Sequence, residues 1–300
     1  MIYPRWTTYE KTVLNAFKRT VGVPSDLVHL PPDNNYVWKA IVDEVPYILK
    51  LGACLPYRLH REVRAYQVLE TKELKVPDLI TSGEIDGMPF LLLSYCGDST
   101  VQDMAIQHGI VDSMLIESTC TALLKLSECS TTGFEEVKLG ITTQARDKER
   151  LAYCQDTIPV ESGLHNLLCR IAHQQSRPYR CLAHRDFSPR QVVVGKEGPF
   201  IIDFESIGPG AVERDLGDFL GGFIKFTSYH GAYGRVVKNF AQAWDIDFQV
   251  ISDYTAFSLL WSITTNTKRE EALFRLNLAT EIANDKEWLT SRSSRSAPPD

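Results

Sequence analysis

The sequence predicts an α+β chain in two parts, a small antiparallel β-rich lobe followed by a larger, mainly α-helical lobe. Three observations carry that expectation. Up to Cys96, apolar β-branched runs alternate with short polar turns, in "VWKAIVDEVPYILKLG" and "PDLITSGEIDGMPFLLLSYCG". Past Gly97 the apolar period lengthens to that of amphipathic helices, as in "VDSMLIESTCTALLKLSE" and most of residues 216–289. Two short strand-like islands, Gln191 to Val194 and Phe200 to Ile202, stand alone within that helical half.

Taken in order, the first 20 residues hold a helix. Thr7 and Glu10 have capping-box spacing, and Val13, Leu14, Phe17 and Val21 form the apolar face. Pro24 ends it. Asp43-Glu44 and Asp86-Gly87 are the turns of two hairpins. Between the hairpins, "RLHREVRAYQVLETKEL" places Leu59, Val63, Tyr66 and Leu69 at helical spacing. The closing "SRSSRSAPPD" has too little apolar surface to order itself. The expected organisation is residues 1–96 as the first lobe, 97–290 as the second and 291–300 as a disordered tail.

Composition narrows the function. A chain of 300 residues can bury a real core, and 44% hydrophobic with 23% charged residues is ordinary for a soluble globular protein. The formal charge of −6 argues against a nucleic-acid binder, which needs a basic face to neutralise phosphates. It agrees with a cationic substrate, as it does with a solvated acidic surface. No apolar run approaches the roughly 20 residues that span a bilayer, so no membrane partner is expected. The start "MIYPRWTTYEK" has neither the basic nor the apolar region of a signal peptide. Seven cysteines are scattered singly with no C-x-x-C pair, which points to reduced thiols in the cytoplasm rather than a metal-cysteine site.

The chemistry concentrates in "AHRDFSPRQVVV" and "FIIDFES". Phosphoryl transfer from a nucleotide is chiefly positioning and charge neutralisation. It needs an acceptor-only carboxylate beside the attacking hydroxyl and hard oxygen ligands for magnesium beside the phosphates. A turn bearing Asp186 and Gln191, with a strand end bearing Asp203, supplies such groups. Surface acids at the ends of a hairpin are the alternative for either carboxylate alone; the ordered pair, with His184 two residues before Asp186, weighs against it.

"HRDFSPRQ" followed by "IIDFES" resembles the catalytic loop and metal-binding motif of the aminoglycoside phosphotransferase and choline kinase family, whose pattern is H-x-D-x-x-x-x-N and then a strand ending in Asp. The resemblance implies a protein-kinase-like two-lobe fold over roughly residues 8–289. It makes Asp186 the catalytic base, Asp203 the main magnesium ligand, Gln191 the second ligand and His184 a structural brace. "YILKLG" resembles the strand whose lysine grips the α- and β-phosphates, here Lys50, and Glu62 stands where the family pairs a helix carboxylate with that lysine. A flexible ammonium holding two phosphates needs such a fixed partner. "FLLLSYCG" matches the strand running into the hinge, where backbone groups of Ser94 and Cys96 would bind adenine.

Two departures matter. Gln191 replaces the usual asparagine; it keeps the amide oxygen on a side chain one methylene longer. "LPPDNNYVW" replaces a glycine-rich loop, leaving Asn34 and Asn35 to tolerate tight turns and offer donors to phosphates, or only to start a hairpin.

Only "ESIGPGAVER" separates Asp203 from "DLGDFL", too little for the activation segment and A-P-E anchor with which protein kinases hold peptides. Glu205 also replaces the glycine of D-F-G, and Asp215 matches the family's loop-bracing acid. Glu213 and Asp218 read as solvated helix positions more than as substrate contacts. Phe223, Phe226, Tyr229, Tyr233, Trp244, Tyr254 and Trp261 could cage a quaternary ammonium, but at helical spacing they read as core.

The expected activity is an ATP- or GTP-dependent, magnesium-requiring transfer of phosphate to a hydroxyl of a small molecule, an aminoglycoside-like antibiotic or related metabolite. The alternatives are a choline- or ethanolamine-type kinase, a sugar or amino-acid metabolite kinase, and a nucleotide-binding pseudokinase module.

Overall fold

The computed structural model describes residues 6–30, 36–52, 56–70, 72, 74–109, 111–134, 149, 151–156, 164–176, 181–226, 231–263, 267–285 and 287–291. Asn34, Asn35, Tyr229 and the tail from residue 292 lie outside them. The chain forms two compact units, residues 1–97 with 200–207, and residues 98–199 with 208–300.

The first unit is built on a five-stranded antiparallel sheet of order β1-β2-β3-β5-β4. Its strands are β1 (Asp26–Leu30), β2 (Tyr36–Val42), β3 (Val45–Leu51), β4 (Leu79–Ile85) and β5 (Met88–Ser94). Both expected hairpins form. Asp43 and Glu44 have φ of 48° and 66°, and Asp86 and Gly87 have 52° and 73°. Positive φ at both central residues matches the twist of the flanking strands, so two-residue turns close without splaying them. The Asp86 carboxylate also accepts from Thr12 Oγ1 at 2.7 Å.

Strand alternation assigns the two faces of the sheet. Tyr36, Trp38, Ala40, Leu49, Leu51, Phe90 and Leu92 share one buried cluster with Val13, Ala16 and Phe17 of α1 (Glu10–Thr20). The register aligns Val37, Lys50 and Leu91 on the opposite face. The start of α1 differs from expectation. A 3-10 turn over Trp6–Tyr9 precedes it, and Tyr9 at the N-cap makes no side-chain cap bond. Thr7 is absorbed in that turn, so the capping box does not form. Helix α2 (Pro56–Leu69) carries all four expected apolar positions and begins on proline, whose missing N–H costs nothing in a first turn. It buries Leu59, Glu62, Ala65, Tyr66 and Leu69.

The second unit is mainly helical: α3 (Val101–His108), α4 (Ser113–Ser127), α5 (His165–Ser176), α6 (Val212–Phe226), α7 (Gly231–Ala243), α8 (Phe248–Trp261), α9 (Arg269–Asn284) and α10 (Trp288–Ser291). A capping box starts α3, with Thr100 Oγ1 accepting from the Asp103 amide and Asp103 accepting from the Thr100 amide. Residues 250–260 of α8 are buried all round, as a central helix must be. Gly217 and Gly221 let α6 pack tightly on α8; a Cβ at 217 would lie 2.5 Å from Tyr254 Cβ. The buried Asp253 carboxylate takes two 2.8 Å bonds from the Arg170 guanidinium, tying α8 to α5.

Short strands complete this unit. β6 (Ser99–Thr100) pairs with β8 (Val192–Gly195), and β7 (Cys181–Ala183) pairs with β10 (Gly208–Gly210). Gln191 closes a 3-10 turn, Pro189–Gln191, instead of starting the strand. β9 (Gly198–Ile201) leads the chain into residues 200–207 of the first unit. Among the described residues, no helix is long and apolar enough to cross a membrane.

Candidate active site

Lys50 is the centre of the first unit's polar constellation. On β3 it points to the face opposite α1, and its Nζ lies 2.7 Å from Glu62 Oε1 and 2.7 Å from Asp203 Oδ1. Its side chain is only 10% exposed and that of Glu62 is fully buried, whereas Asp203 remains 31% exposed. Burial alone would lower the lysine pKa, but the Asp203 and Glu62 carboxylates outweigh it and hold the ammonium well above its ordinary value. Burial pushes the Glu62 carboxyl up to about 7, with Lys50 opposing the rise.

Asp203 leaves β9 in the left-handed region at φ 70°, and a 3-10 turn over Phe204–Ser206 follows. That turn lies on α2. Phe204 packs edge-on against Tyr66 at 5.3 Å between centroids, and Arg58 Nη1 lies 2.8 Å from Glu205 Oε1. Burial, with Asp203 nearby, raises the Glu205 carboxyl, and Arg58 opposes the rise. In the sequence Glu205 stands out only as the replacement of a glycine, and Arg58 belongs to no motif. The available signal was helical spacing: Arg58 precedes Glu62 by one turn.

In the second unit, "HRDFSPRQ" is a loop held from below. The Asp215 carboxylate accepts from the His184 amide at 2.7 Å and the Arg185 amide at 2.8 Å. Burial raises the Asp215 carboxyl, while His184 and these backbone donors pull it back. The His184 ring is buried edge-on to Phe187 at 5.3 Å, and Phe187 continues an aromatic row through Phe219 to Phe223. Asp186 is thus flanked on both sides by anchored residues and stays half-buried. Gln191 is buried; its backbone N–H donates to the Ser188 carbonyl at 2.9 Å and its side-chain Oε1 accepts from the Ser188 hydroxyl. The longer side chain is therefore braced within its own loop.

The remaining candidates divide. The Ser94 amide donates to the Asp78 carbonyl at 2.9 Å, and Ser94 Oγ accepts from the Asp78 amide at 2.8 Å. Cys96 is half-buried, with its thiol raised to about 11, by burial first. Asn34 and Asn35 lie outside the described residues. Asp218 lies 3.7 Å from Arg214 one turn earlier in α6. Phe223, Tyr233 and Tyr254 are buried core residues, the Tyr233 hydroxyl accepting from the Val111 amide.

Asp203 in the first unit carries a partly exposed carboxylate and Gln191 in the second carries an amide oxygen, each a hard oxygen of the kind magnesium takes. Among the described residues no group of three or more His, Cys, Asp or Glu could hold a metal.

Several solved structures share this fold at low identity. A thermostable variant of aminoglycoside phosphotransferase APH(4)-Ia, in ternary complex with ADP and hygromycin B, matches with a TM-score of 0.63 and 12% identity, covering 91% of this chain and 98% of that one. Spectinomycin phosphotransferase APH(9)-Ia, in complex with ADP and spectinomycin, matches with 0.58 and 14%, covering 92% and 98%. Amicoumacin kinase hAmiN, in complex with AMP-PNP, Ca2+ and Ami, matches with 0.58 and 14%, covering 95% and 96%. No curated protein sequence matches this chain. The profile of the phosphotransferase enzyme family matches residues 33–257, from the first hairpin through most of α8 and across both motifs above. With that match over three-quarters of its length, the chain belongs to the phosphotransferase enzyme family, is a small-molecule kinase, and has the family's kinase-like fold.

Proposed function

We propose that this enzyme transfers the γ-phosphoryl group of ATP or GTP to a hydroxyl of a small molecule, an aminoglycoside-like antibiotic or related metabolite. The observation that carries the reading is Lys50, seated at 2.7 Å from both Glu62 and Asp203. A buried lysine so fixed is prepared to meet phosphates without first being ordered. The solved relatives lend support through their contents: ADP with hygromycin B, ADP with spectinomycin, and AMP-PNP with Ca2+ and Ami.

In this reading Lys50, held by Glu62, grips the α- and β-phosphates. The hinge strand would offer backbone groups of Ser94 and Cys96 to the base. Asp203 and Gln191 would hold magnesium, which would neutralise charge developing on the phosphate oxygens. Asp186 takes the proton of the acceptor hydroxyl as that oxygen bonds to the γ-phosphorus. The bond from γ-phosphorus to the β–γ bridging oxygen breaks, and the nucleoside diphosphate leaves. The six described cysteines outside any disulfide suit a reducing cytoplasm.

Nucleotide consumption across a panel of aminoglycosides, choline, ethanolamine, sugars and amino acids tests this. Turnover with one acceptor class is expected. Asp186→Ala should lower it by about 10² to 10⁴ while leaving nucleotide affinity intact. Lys50→Ala should weaken nucleotide binding itself. Binding without consumption for every acceptor, with Asp186→Ala indistinguishable from the parent, would overturn both the acceptor class and the role given to Asp186.

A further inference from the structure

Three residues of α2 spaced four apart, Arg58, Glu62 and Tyr66, form one stripe along the helix. They meet three consecutive residues of the turn after β9. Arg58 reaches Glu205 at 2.8 Å, Glu62 reaches Asp203 through Lys50 at 2.7 Å on each side, and Tyr66 packs edge-on against Phe204. The outer pair is shielded from water: the Glu205 side chain is 5% exposed and that of Arg58 is 18% exposed. A carboxylate so buried is costly unless a cation stays beside it, so the pair resists separation. Asp203 itself sits in a left-handed conformation that a non-glycine residue keeps only when its surroundings hold it there.

We propose that Arg58 and Glu205 are positioning residues for magnesium-nucleotide binding, their ion pair locking the Asp203–Glu205 turn onto α2 and so aiming the Asp203 carboxylate. The inference rests on the role given to Asp203 above. It deepens that role: the phosphate-binding face is assembled before ligand arrives, by a second clamp one helical turn from the Lys50–Glu62 pair. Glu205 in this scheme acts through Arg58 and Asp203 and does not touch the metal.

Calorimetric titration of AMP-PNP with and without magnesium, beside thermal melting of each free protein, tests the clamp. Arg58→Met and Glu205→Gln should each lower magnesium-dependent affinity by about 10- to 100-fold, the usual effect of removing a residue that orients a metal ligand. Metal-free nucleotide binding should change little in both. In turnover, the nucleotide KM should rise more than kcat falls. Arg58→Lys should recover part of the loss, and it keeps the comparison usable if Arg58→Met fails to fold. Equal weakening of binding with and without magnesium, tracking a lowered melting temperature, would reduce the pair to scaffolding and overturn the proposal. So would loss of magnesium dependence in Glu205→Gln with none in Arg58→Met, since Glu205 would then be a ligand itself. Asp203→Asn serves as the control. If it alone loses magnesium dependence, only the clamp is wrong; if it keeps that dependence, the role of Asp203 fails and the clamp falls with it.

Discussion

The Asp215 carboxylate holds the Arg185 amide at 2.8 Å, and Arg185 has the left-handed φ of 71°. This one acceptor, which also takes the His184 amide, stabilises a turn that an arginine would not adopt alone. The residue that benefits is the next in sequence, Asp186.

Asp215→Ala strands the buried His184 amide and the part-buried Arg185 amide, at about 1–3 kcal/mol for a buried group left unsatisfied. Urea unfolding should show a loss within that range or above it, and turnover should fall further than stability alone explains. Asp215→Asn retains one acceptor oxygen and should lie between. A parental unfolding midpoint in Asp215→Ala would remove it as the brace.

Gln191 tests how far the longer amide substitutes for asparagine. Gln191→Asn should keep appreciable activity, because the amide oxygen remains. Gln191→Leu should lose most of it, together with the bond from the Ser188 hydroxyl. Steady-state rates at saturating and limiting magnesium distinguish the two, the asparagine variant requiring more metal. A fully active leucine variant would mean that water or another residue fills the position.

Glu62 makes stability depend on pH. Burial raises its carboxyl from the ordinary 4.5 to about 7, so in that interval the folded state holds a proton the unfolded chain has released. Unfolding free energy of the ligand-free protein should therefore decline as pH rises from 4.5 to about 7. Glu205 and Asp215 are raised as well, so the diagnostic quantity is the difference from Glu62→Gln, which should show a shallower decline. Identical slopes in parent and variant would place the titration elsewhere.

Gly222 is a packing test for the catalytic loop. A Cβ there would lie 2.3 Å from Pro189 Cδ, inside any tolerable contact. Gly222→Ala must displace Pro189, at about 1–3 kcal/mol for overpacking. Because Pro189 lies between Asp186 and Gln191, activity should fall more than the unfolding midpoint predicts. Unchanged kinetics with a lowered midpoint would show that the loop absorbs the shift harmlessly.

By itself the sequence determined whatever depends on neighbours in the chain. Asp43-Glu44 and Asp86-Gly87 dictate tight turns through their own allowed φ, and alternation puts Lys50 on the other face of its strand from Leu49 and Leu51. Asp186, Gln191 and Asp203 stand out as candidates because one loop and one strand end carry them at short spacings. Elements that lack such a local signature were not legible. β1, a half-exposed edge strand, and the three-residue β7 and β10 exist because a partner strand supplies their hydrogen bonds. The start of α1 departs from its capping-box spacing because Trp6–Tyr9 takes a 3-10 turn that uses up Thr7. Tertiary structure alone decided the partners of the buried charges. Arg58 and Glu205 are 147 residues apart, and Asp215 lies 31 residues from His184. Turn chemistry and helical period act over a few residues, whereas a buried carboxylate takes its cation or amide from whichever segment the packed chain brings beside it.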